Sequence, residues 1–587
     1  MAVTWYGNLT EVEGAALGSL AVIAPLLQRM GVADIIDRHL PVDPQAEFTH
    51  GRLLSLLIAA RVSSPVALSN VVEWAGQSGA DILWNIAAEK RNDDRLGRSL
   101  DAFFNQRHSI LSSLALHVAQ EFDVPLKDLH YDPTHVLFTG AYENAQPREG
   151  VVGTKSNSST ESNSGTKCES GTKSNSGTKS RRGAGRTPLV RSDGTLEPAH
   201  LTVGRAMDDV PHGTKMIHVG LGVPVDRFGP LPICGHTIDG NQNGRTAVSE
   251  PTELLRQHLP TLKLTIISDR GTYSVGHLLR RQDVGCDAIG SVPWGEFREP
   301  FDAPRKSLTW KRASDLSIEQ PRRRASPGEL PHEHDDLAVL KHTLRDDPTG
   351  RTIACRVLFV HSTADEKVIR HQRQKPIDRI TAEFTSLQQS VAAGRRSTDE
   401  AAVTRRAARA LGTASAAKYF SWQRLPLTKA EIHQRPQPER GCRPPTHRFE
   451  FTFHTALLQA DEEYDGDNAI VTTVPPPQSS ADELFTRFKQ QSDSEQVNSQ
   501  FQGPLAVRPV FLHSPRRLEA LMFRMVIALM LYYPIQRTCR ASLPEDAPLQ
   551  ERRITTRTLL DEFRNDTRLI HHHRLGREVS PTRLTAC

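Results

Sequence analysis

One carboxylate closes a strongly apolar stretch of the sequence. In Leu264–Gly271 (LTIISDRG), apolar and β-branched residues run to Ser268, and Asp269 follows with Arg-Gly behind it. An aspartate at that point is an ordinary way to open a turn. It is also where α/β folds place reactive groups, because ligands bind at the carboxyl ends of central strands. Whether Asp269 has a chemical role therefore depends on the partners that the rest of the chain supplies.

Two other acidic residues are candidate partners. Asp132 lies in the strand-like segment 128–140 (DLHYDPTHVLFTG), and Glu495 lies on an amphipathic helix predicted over 481–501. Two carboxylates held together repel each other unless a divalent cation lies between them. Two-metal phosphoryl transfer uses such hard oxygen ligands, with the ions roughly 3.5–4 Å apart. The three residues would therefore predict metal-dependent phosphoryl transfer if the fold brings them together.

Each of these residues also has a plainer interpretation, which the sequence leaves open. Asp132 could be a turn carboxylate, and Asp269 could cap the end of a strand. Glu495 could be a solvated charge on a helix, and Glu483 and Glu519 on neighbouring predicted helices are rivals for its role.

Two further clusters of titratable residues could bind a ligand, but a structural or solvated role is favoured for each. Asp208-Asp209 lies in loop-like sequence, where a solvated turn is favoured over a paired carboxylate site. His571-His572-His573 could bind a metal, but an exposed basic tail is favoured.

The elements around the two aspartates alternate in a recognisable order. Hydrophobic periodicity and turn residues predict the order β-β-β-α-β-α-β. This order is the layout of a ribonuclease-H-like mixed sheet, with the first strand central, the fourth beside it, and Asp132 and Asp269 at one edge. The predicted strands are 128–138, 216–225, 230–238, 262–269 and 286–292, and the predicted helices are 244–259 and 272–282.

The remaining sequence predicts how this core is divided. Residues 1–120 form an N-terminal all-α domain, where a plain helical bundle is favoured over a DNA-binding domain. The core occupies 121–300 and 451–540, interrupted by an Arg-rich, mainly helical insertion over 301–450, and a basic tail follows over 541–587. Within the first part of the core, 150–200 is a low-complexity insert in which Gly-Thr-Lys recurs, and its composition predicts a disordered linker.

Composition narrows the class of protein. A chain of 587 residues is too long for one core, and two to four domains are expected. The net charge of +5 is small, but the arginines are clustered, which is compatible with binding of nucleic acid.

The seven cysteines contain no C-x-x-C pair, which argues against a structural zinc site and a disulfide framework. No signal peptide is evident, and the apolar run 525–535 is short for a membrane span, so we expect a cytoplasmic, nucleoid-associated protein without membrane contact.

Four motifs in order resemble a known family. They are HYDPTHVLFTG, the two-strand segment from HGTKMIHV to GNQNGRT, IISDRGTYS, and YDGDNAIVTTVP followed by the segment with Glu495 and the closing helix. Together they resemble the DDE transposases of the bacterial IS4-like superfamily, and within it the IS1634 type. The resemblance covers about 120–300 and 450–535.

The resemblance implies a function and a set of site residues. Asp132, Asp269 and Glu495 would bind two Mg²⁺ or Mn²⁺ ions, hydrolyse the 3′ ends of the mobile element and join them to target DNA. The implied partner is double-stranded DNA, held by a homodimer in a synaptic complex. Two alternatives stay open: another ribonuclease-H-like nuclease, or a catalytically decayed DNA-binding relic.

The family pattern on the last helix is only partly kept. Where the superfamily often has Tyr-x-x-Arg-x-x-x-Glu-x6-Lys, this chain has Phe488, Gln491, Glu495 and Gln502. The phosphate-binding Arg and Lys of that pattern are therefore replaced by glutamines. Four other basic residues are the expected DNA contacts, namely Arg270, Arg487, Lys489 and Arg508.

Overall fold

The structure is a computed structural model that describes most of the chain. The predicted helix 244–259, Asp208-Asp209, Arg508 and nearly all of the low-complexity insert lie outside the described residues. The described residues are 9–15, 17–41, 45–86, 93–138, 142, 197–204, 214–241, 263–293, 302, 304–313, 334–395, 399–434, 444–503, 505, 514–544, 546–563, 568–573 and 576–581.

The chain divides into two compact units. Unit 1 comprises Met1–Ser291, His342–Cys355 and Val471–Cys587, and unit 2 comprises Val292–Lys341 and Arg356–Ile470. All three candidate carboxylates belong to unit 1.

The sheet of unit 1 is mixed, as the sequence predicts. The strand Asp128–Phe138, called here the central strand, pairs antiparallel with Lys215–Val223 and parallel with Thr265–Ser268. Thr265–Ser268 pairs in turn with Asp287–Ser291, also in parallel. The expected order, with the first strand between the second and the fourth, is thus confirmed.

Shorter strands complete this part of unit 1. Lys215–Val223 also pairs with Cys234–Asp239 and with Thr202–Val203. A small hairpin, Val225–Asp226 with Gly229–Pro230, lies between the second and third of the predicted strands. A separate sheet joins Leu9–Ala15 to Arg568–His573 and Gly576–Pro581, so His571-His572-His573 lies in a strand within the predicted basic tail.

The N-terminal region is all-α after its first strand, as predicted. Its apolar residues belong to the same buried core as the central strand and the helix Pro515–Ser542. Burial of that shared apolar surface, rather than a separate bundle core, stabilises these helices. The helices are Leu20–Arg29, Val32–His39, His50–Ser63, Val71–Gln77, Ala80–Leu83 and Asp93–Glu121, with a 3₁₀ turn at Leu68–Asn70.

The helix Pro515–Ser542, called here the long apolar helix, differs from its prediction. The sequence pattern predicts one apolar face, but every residue from Leu518 to Arg537 is buried. The helix packs against His50–Ser63 and Asp93–Glu121 and also against the strand Cys234–Asp239, so that its whole circumference is covered. Its length and composition would allow a membrane span, and the structure buries it inside the protein.

Three helices lie around the candidate site in the chain order: one follows the Asp269 strand, and two precede the long apolar helix. Val275–Asp283 begins at Ser274, whose side chain accepts a hydrogen bond from His277 N. The helix predicted over 481–501 is two helices, Ala481–Lys489 and Gln491–Gln502, separated at Gln490. The remaining short elements of unit 1 are the 3₁₀ turns Arg270–Thr272 and Pro476–Gln478 and the helices Leu549–Arg552 and Thr556–Glu562.

Unit 2, with the chain segments that lead into it, contains both helices and strands. Its apolar core joins the helices Thr363–Ala392 and Glu400–Leu411 to the paired strands Phe420–Pro426 and His447–Phe453. Phe384 is fully buried there against the rings of Phe420 and Phe449. The insertion predicted as mainly helical is therefore α plus β. The elements that lie wholly or partly in unit 2 are Lys311–Arg312, Asp335–Arg345, Thr352–Ser362, Thr363–Ala392, Glu400–Leu411, Ser415–Tyr419, Phe420–Pro426, Lys429–His433, His447–Phe453, Thr455–Glu462 and Asp467–Thr472.

Candidate active site

Strand register brings the two aspartates side by side. In the parallel pair formed by the central strand and Thr265–Ser268, Tyr131 is the partner of Ser268. Asp132 follows Tyr131 within the central strand, and Asp269 follows Ser268 directly after its strand ends. Asp269 has extended backbone (φ −77°, ψ 178°) and leads into the 3₁₀ turn Arg270–Thr272. The carboxylates thus meet where the Asp269 strand ends, the position at which α/β sheets place reactive groups.

The helix Gln491–Gln502, called here the Glu495 helix, packs on the same strand. Asn498 donates a 2.6 Å hydrogen bond from Nδ2 to Asp132 Oδ2. Gln502 donates from Nε2 to Thr134 Oγ1 at 2.6 Å and to the carbonyl oxygen of His135 at 3.1 Å. Because residues three and seven positions apart share a helix face, these contacts turn the face of Glu495 towards the central strand.

The negative charges of Asp269 and Glu495 act on the pKa of Asp132. Burial, which has the largest effect, and these two charges together raise the pKa of Asp132 to about 7. The hydrogen bond from Asn498 acts in the opposite direction and favours the ionised form. The pKa of Glu495 is also raised, first by partial burial and then by Asp269. The fold therefore concentrates negative charge at one place, which is the arrangement that favours a cation.

The rival glutamates have other roles. Glu483 accepts a 2.8 Å hydrogen bond from Ser480 N in a capping box at the start of the helix Ala481–Lys489. Glu519 is buried and forms an ion pair with Arg107 at 2.6 Å. Of Glu483, Glu495 and Glu519, only Glu495 is among the groups that raise the pKa of Asp132.

The donor set suits a hard divalent cation. Among the described residues no group of three or more His, Cys, Asp and Glu side chains is placed to hold a metal ion as a ready-made cluster. Mg²⁺, however, is usually bound by one or two carboxylates and keeps several waters. Asn498 Oδ1, beside Asp132, is buried and accepts no hydrogen bond from the described residues. A Cβ added at Gly271 would lie 3.1 Å and 3.2 Å from the two carboxylate oxygens of Asp269, so glycine keeps the space beside that carboxylate open.

Arg487, an expected DNA contact, is held within the protein. Its Nε donates to Asp128 Oδ2 at 2.7 Å, and its NH2 donates to Thr265 Oγ1 at 2.8 Å. Only 12% of the Arg487 side chain is exposed. These bonds connect the helix Ala481–Lys489 to both strands of the site, which favours a structural role for this arginine over phosphate binding.

The other expected DNA contacts differ in their surroundings. Arg270 is exposed and follows Asp269 directly. The ammonium group of Lys489 lies 5.0 Å from the centre of the Phe485 ring, in a cation–π contact. Arg508 lies outside the described residues.

Sequence reasoning missed two residues of the site. Asn498 is not among the residues expected from the sequence, and Gln502 is expected only on the same helix face as Glu495, in place of the family's lysine. The structure shows that both amides attach the Glu495 helix to the central strand. Their spacing of three and seven residues from Glu495 is the only signal that could have identified them.

Comparisons with known proteins show similarity to one family model and to solved structures. Residues 12–116 match the model of a family described as a domain of unknown function, DUF4277. A solved structure, the cryo-EM structure of a piggyBac transposase synaptic complex with hairpin DNA, is similar with 8% sequence identity and a TM-score of 0.28. That similarity covers 94% of this chain and 84% of the other. No curated protein matches the chain.

Proposed function

We propose that this protein is a DDE transposase that cleaves the ends of a mobile DNA element and joins them to target DNA. The observation that carries the proposal is the convergence of Asp132, Asp269 and Glu495 from two parallel strands and one helix onto a single charged site. The four ordered sequence motifs support the narrower proposal of the IS4-like superfamily and the IS1634 type. Neither comparison bears on that narrower assignment.

The residues of the chain have distinct roles in the proposed reaction. Asp132, Asp269 and Glu495 would hold Mg²⁺ or Mn²⁺, which when bound activates the attacking hydroxyl and stabilises the leaving oxygen. Asn498 and Gln502 fix the Glu495 helix on the central strand. Arg270, exposed beside Asp269, is proposed to contact a DNA phosphate. The proposed partner is double-stranded DNA bound by a homodimer in the cytoplasm.

The test is a cleavage and joining assay with Mg²⁺ on the DNA ends that flank this gene. Asp269→Asn removes the ligand charge with little change in shape, and we expect cleavage to fall by about 100-fold or more. Asp283→Asn is the matched control, because Asp283 lies at the end of the next helix in an exposed ion pair with Arg351. Equal activity of wild type and Asp269→Asn would refute the proposed catalytic role.

The same assay separates the two alternatives. Cleavage without joining would indicate a nuclease that uses the same carboxylates. DNA binding without cleavage in the wild type would indicate a decayed copy, for which Gln491 and Gln502 in place of the family's Arg and Lys are the sequence signal.

A further inference from the structure

Of the two polar atoms of the Asn498 side chain, only the amide nitrogen has a hydrogen-bond partner among the described residues. Its Nδ2 donates to Asp132 Oδ2 at 2.6 Å. Its Oδ1 is buried and has no hydrogen-bond donor among the described residues. A buried polar atom without a partner is unfavourable, and in a native structure it calls for an explanation.

The orientation of this amide follows from its acceptor. A carboxylate oxygen accepts a hydrogen bond only from the NH₂ group, so Nδ2 faces Asp132 and Oδ1 occupies the other position of the planar amide. Asn498 lies one helical turn after Glu495, within the same electronegative site. Ionised carboxylates cannot donate a hydrogen bond to Oδ1, whereas a hydrated cation offers both positive charge and water protons.

The helix itself cannot easily move to satisfy Oδ1 in another way. Gln502 holds the end of the Glu495 helix to Thr134 Oγ1 and to the carbonyl oxygen of His135. The buried residues Val497 and Phe501 belong to the shared core of unit 1. The position of the Asn498 amide is therefore set by contacts on both sides of it.

We propose that Asn498 is a positioning residue of the metal site: Nδ2 holds Asp132 by Oδ2, and Oδ1 supplies a neutral oxygen acceptor to the hydrated cation. This inference rests on the proposed function, because it assumes that the carboxylates bind a divalent ion. It assigns to the site a residue that carries no charge and that is not among the site residues expected from the sequence. Residues that orient metal ligands typically change metal affinity by 10- to 100-fold when replaced.

The experiment measures binding of Mn²⁺ to the full-length chain, without DNA, from the electron paramagnetic resonance signal of the free ion. Asn498→Leu replaces the amide by an apolar group of similar shape, and we expect the Mn²⁺ dissociation constant to rise by about 10- to 100-fold. Gln496→Ala is the matched control, because Gln496 is an exposed amide on the same helix. We expect it to bind Mn²⁺ like the wild type.

The outcomes separate this inference from the proposed function. Wild type that binds Mn²⁺, together with an equally tight Asn498→Leu variant, would overturn the role of Asn498 alone. Wild type that binds no Mn²⁺ would overturn the proposed metal site and this inference with it. Thermal melting without metal checks the fold of the variant. If Asn498→Leu is unfolded, Asn498→Ser, a smaller polar replacement, takes its place under the same criteria.

Discussion

At the scale of single residues, two arginines near the site should behave in opposite ways. Arg487 is bonded to Asp128 and Thr265, whereas Arg270 is exposed. We expect Arg487→Ala to lower the free energy of unfolding by about 1.5–3 kcal/mol, because it removes hydrogen bonds to a charged group. We expect Arg270→Ala to leave that free energy unchanged and to weaken DNA binding, with the salt slope reduced by about 1.

The measurements are urea denaturation and DNA affinity over a series of salt concentrations for both variants. The assignment is wrong if Arg487→Ala unfolds like wild type while its salt slope falls. A variant at Arg270 that binds DNA with the wild-type salt slope would remove this residue from the proposed DNA contacts.

The sequence predicted the charged members of the site better than the neutral ones. Asp132 and Asp269 stand out because each is a charged residue within or directly after a strongly apolar strand. Asn498 is an ordinary residue for a polar helix, and nothing in its immediate sequence distinguishes it from Gln496. Its role depends on a hydrogen bond to a residue far away in the chain, which local patterns cannot encode.

At the scale of elements, the pairing of the central strand depends on a glycine. Gly220 lies opposite Pro133 on the neighbouring strand. A Cβ added at Gly220 would lie 2.0 Å from the hydroxyl oxygen and 2.6 Å from Cζ of the buried Tyr131 ring. The ring can relieve this contact only by shifting the residue that precedes Asp132.

We therefore expect Gly220→Ala to lower the free energy of unfolding by about 1–3 kcal/mol, the usual cost of overpacking. Gly76→Ala is the control, since Gly76 lies in the helix Val71–Gln77 and an added Cβ meets no atom within 4 Å. That change should stabilise the protein by about 0.5–1 kcal/mol. Urea denaturation measures both, and equal effects of the two substitutions would refute the packing argument.

Local patterns predicted the strands well, but they did not predict a break within one helix. The strands around Asp132 and Asp269 are short apolar runs between turn residues, and the structure has them close to their predicted positions. The segment 481–501 reads as one amphipathic helix, but the structure separates it at Gln490. Its two parts meet different partners: Arg487 bonds to Asp128, and Asn498 bonds to Asp132. Tertiary contacts of this kind override helical periodicity.

At the scale of the whole molecule, the long apolar helix carries a buried charge. Glu519 Oε1 pairs with Arg107 Nε at 2.6 Å, with only 3% and 4% of the two side chains exposed. Glu519 Oε2 also accepts a hydrogen bond from Ala199 N. This one side chain therefore joins three distant segments of unit 1.

We expect Glu519→Gln to lower the free energy of unfolding by about 3–5 kcal/mol, because it leaves the charge of Arg107 buried without its partner. Glu121→Gln breaks the exposed pair with Arg29 and should cost no more than about 1 kcal/mol. Chemical denaturation of both variants tests the contrast. A loss for Glu519→Gln as small as that for Glu121→Gln would contradict it.

The sequence could not predict that one core runs through the N-terminal helices, the sheet and the long apolar helix. Residues 518–530 show one apolar face, and the pattern leaves open what the other side of the helix contacts. The structure covers that side too, since Glu519 has Arg107 as its partner. Which surfaces meet over such sequence distances depends on the complete fold.

The amide contacts of the Glu495 helix affect how sensitive the geometry of the site is to the salt concentration around the protein. Asn498 and Gln502 hold the helix with neutral groups, where many proteins use ion pairs. Mobile ions weaken the attraction between exposed charges, but they act less on a hydrogen bond whose donor is an uncharged amide and whose carboxylate acceptor is largely buried. A polyelectrolyte such as DNA carries a dense counterion atmosphere with it. An amide attachment lets the geometry of the carboxylates stay constant while the ionic composition around them changes.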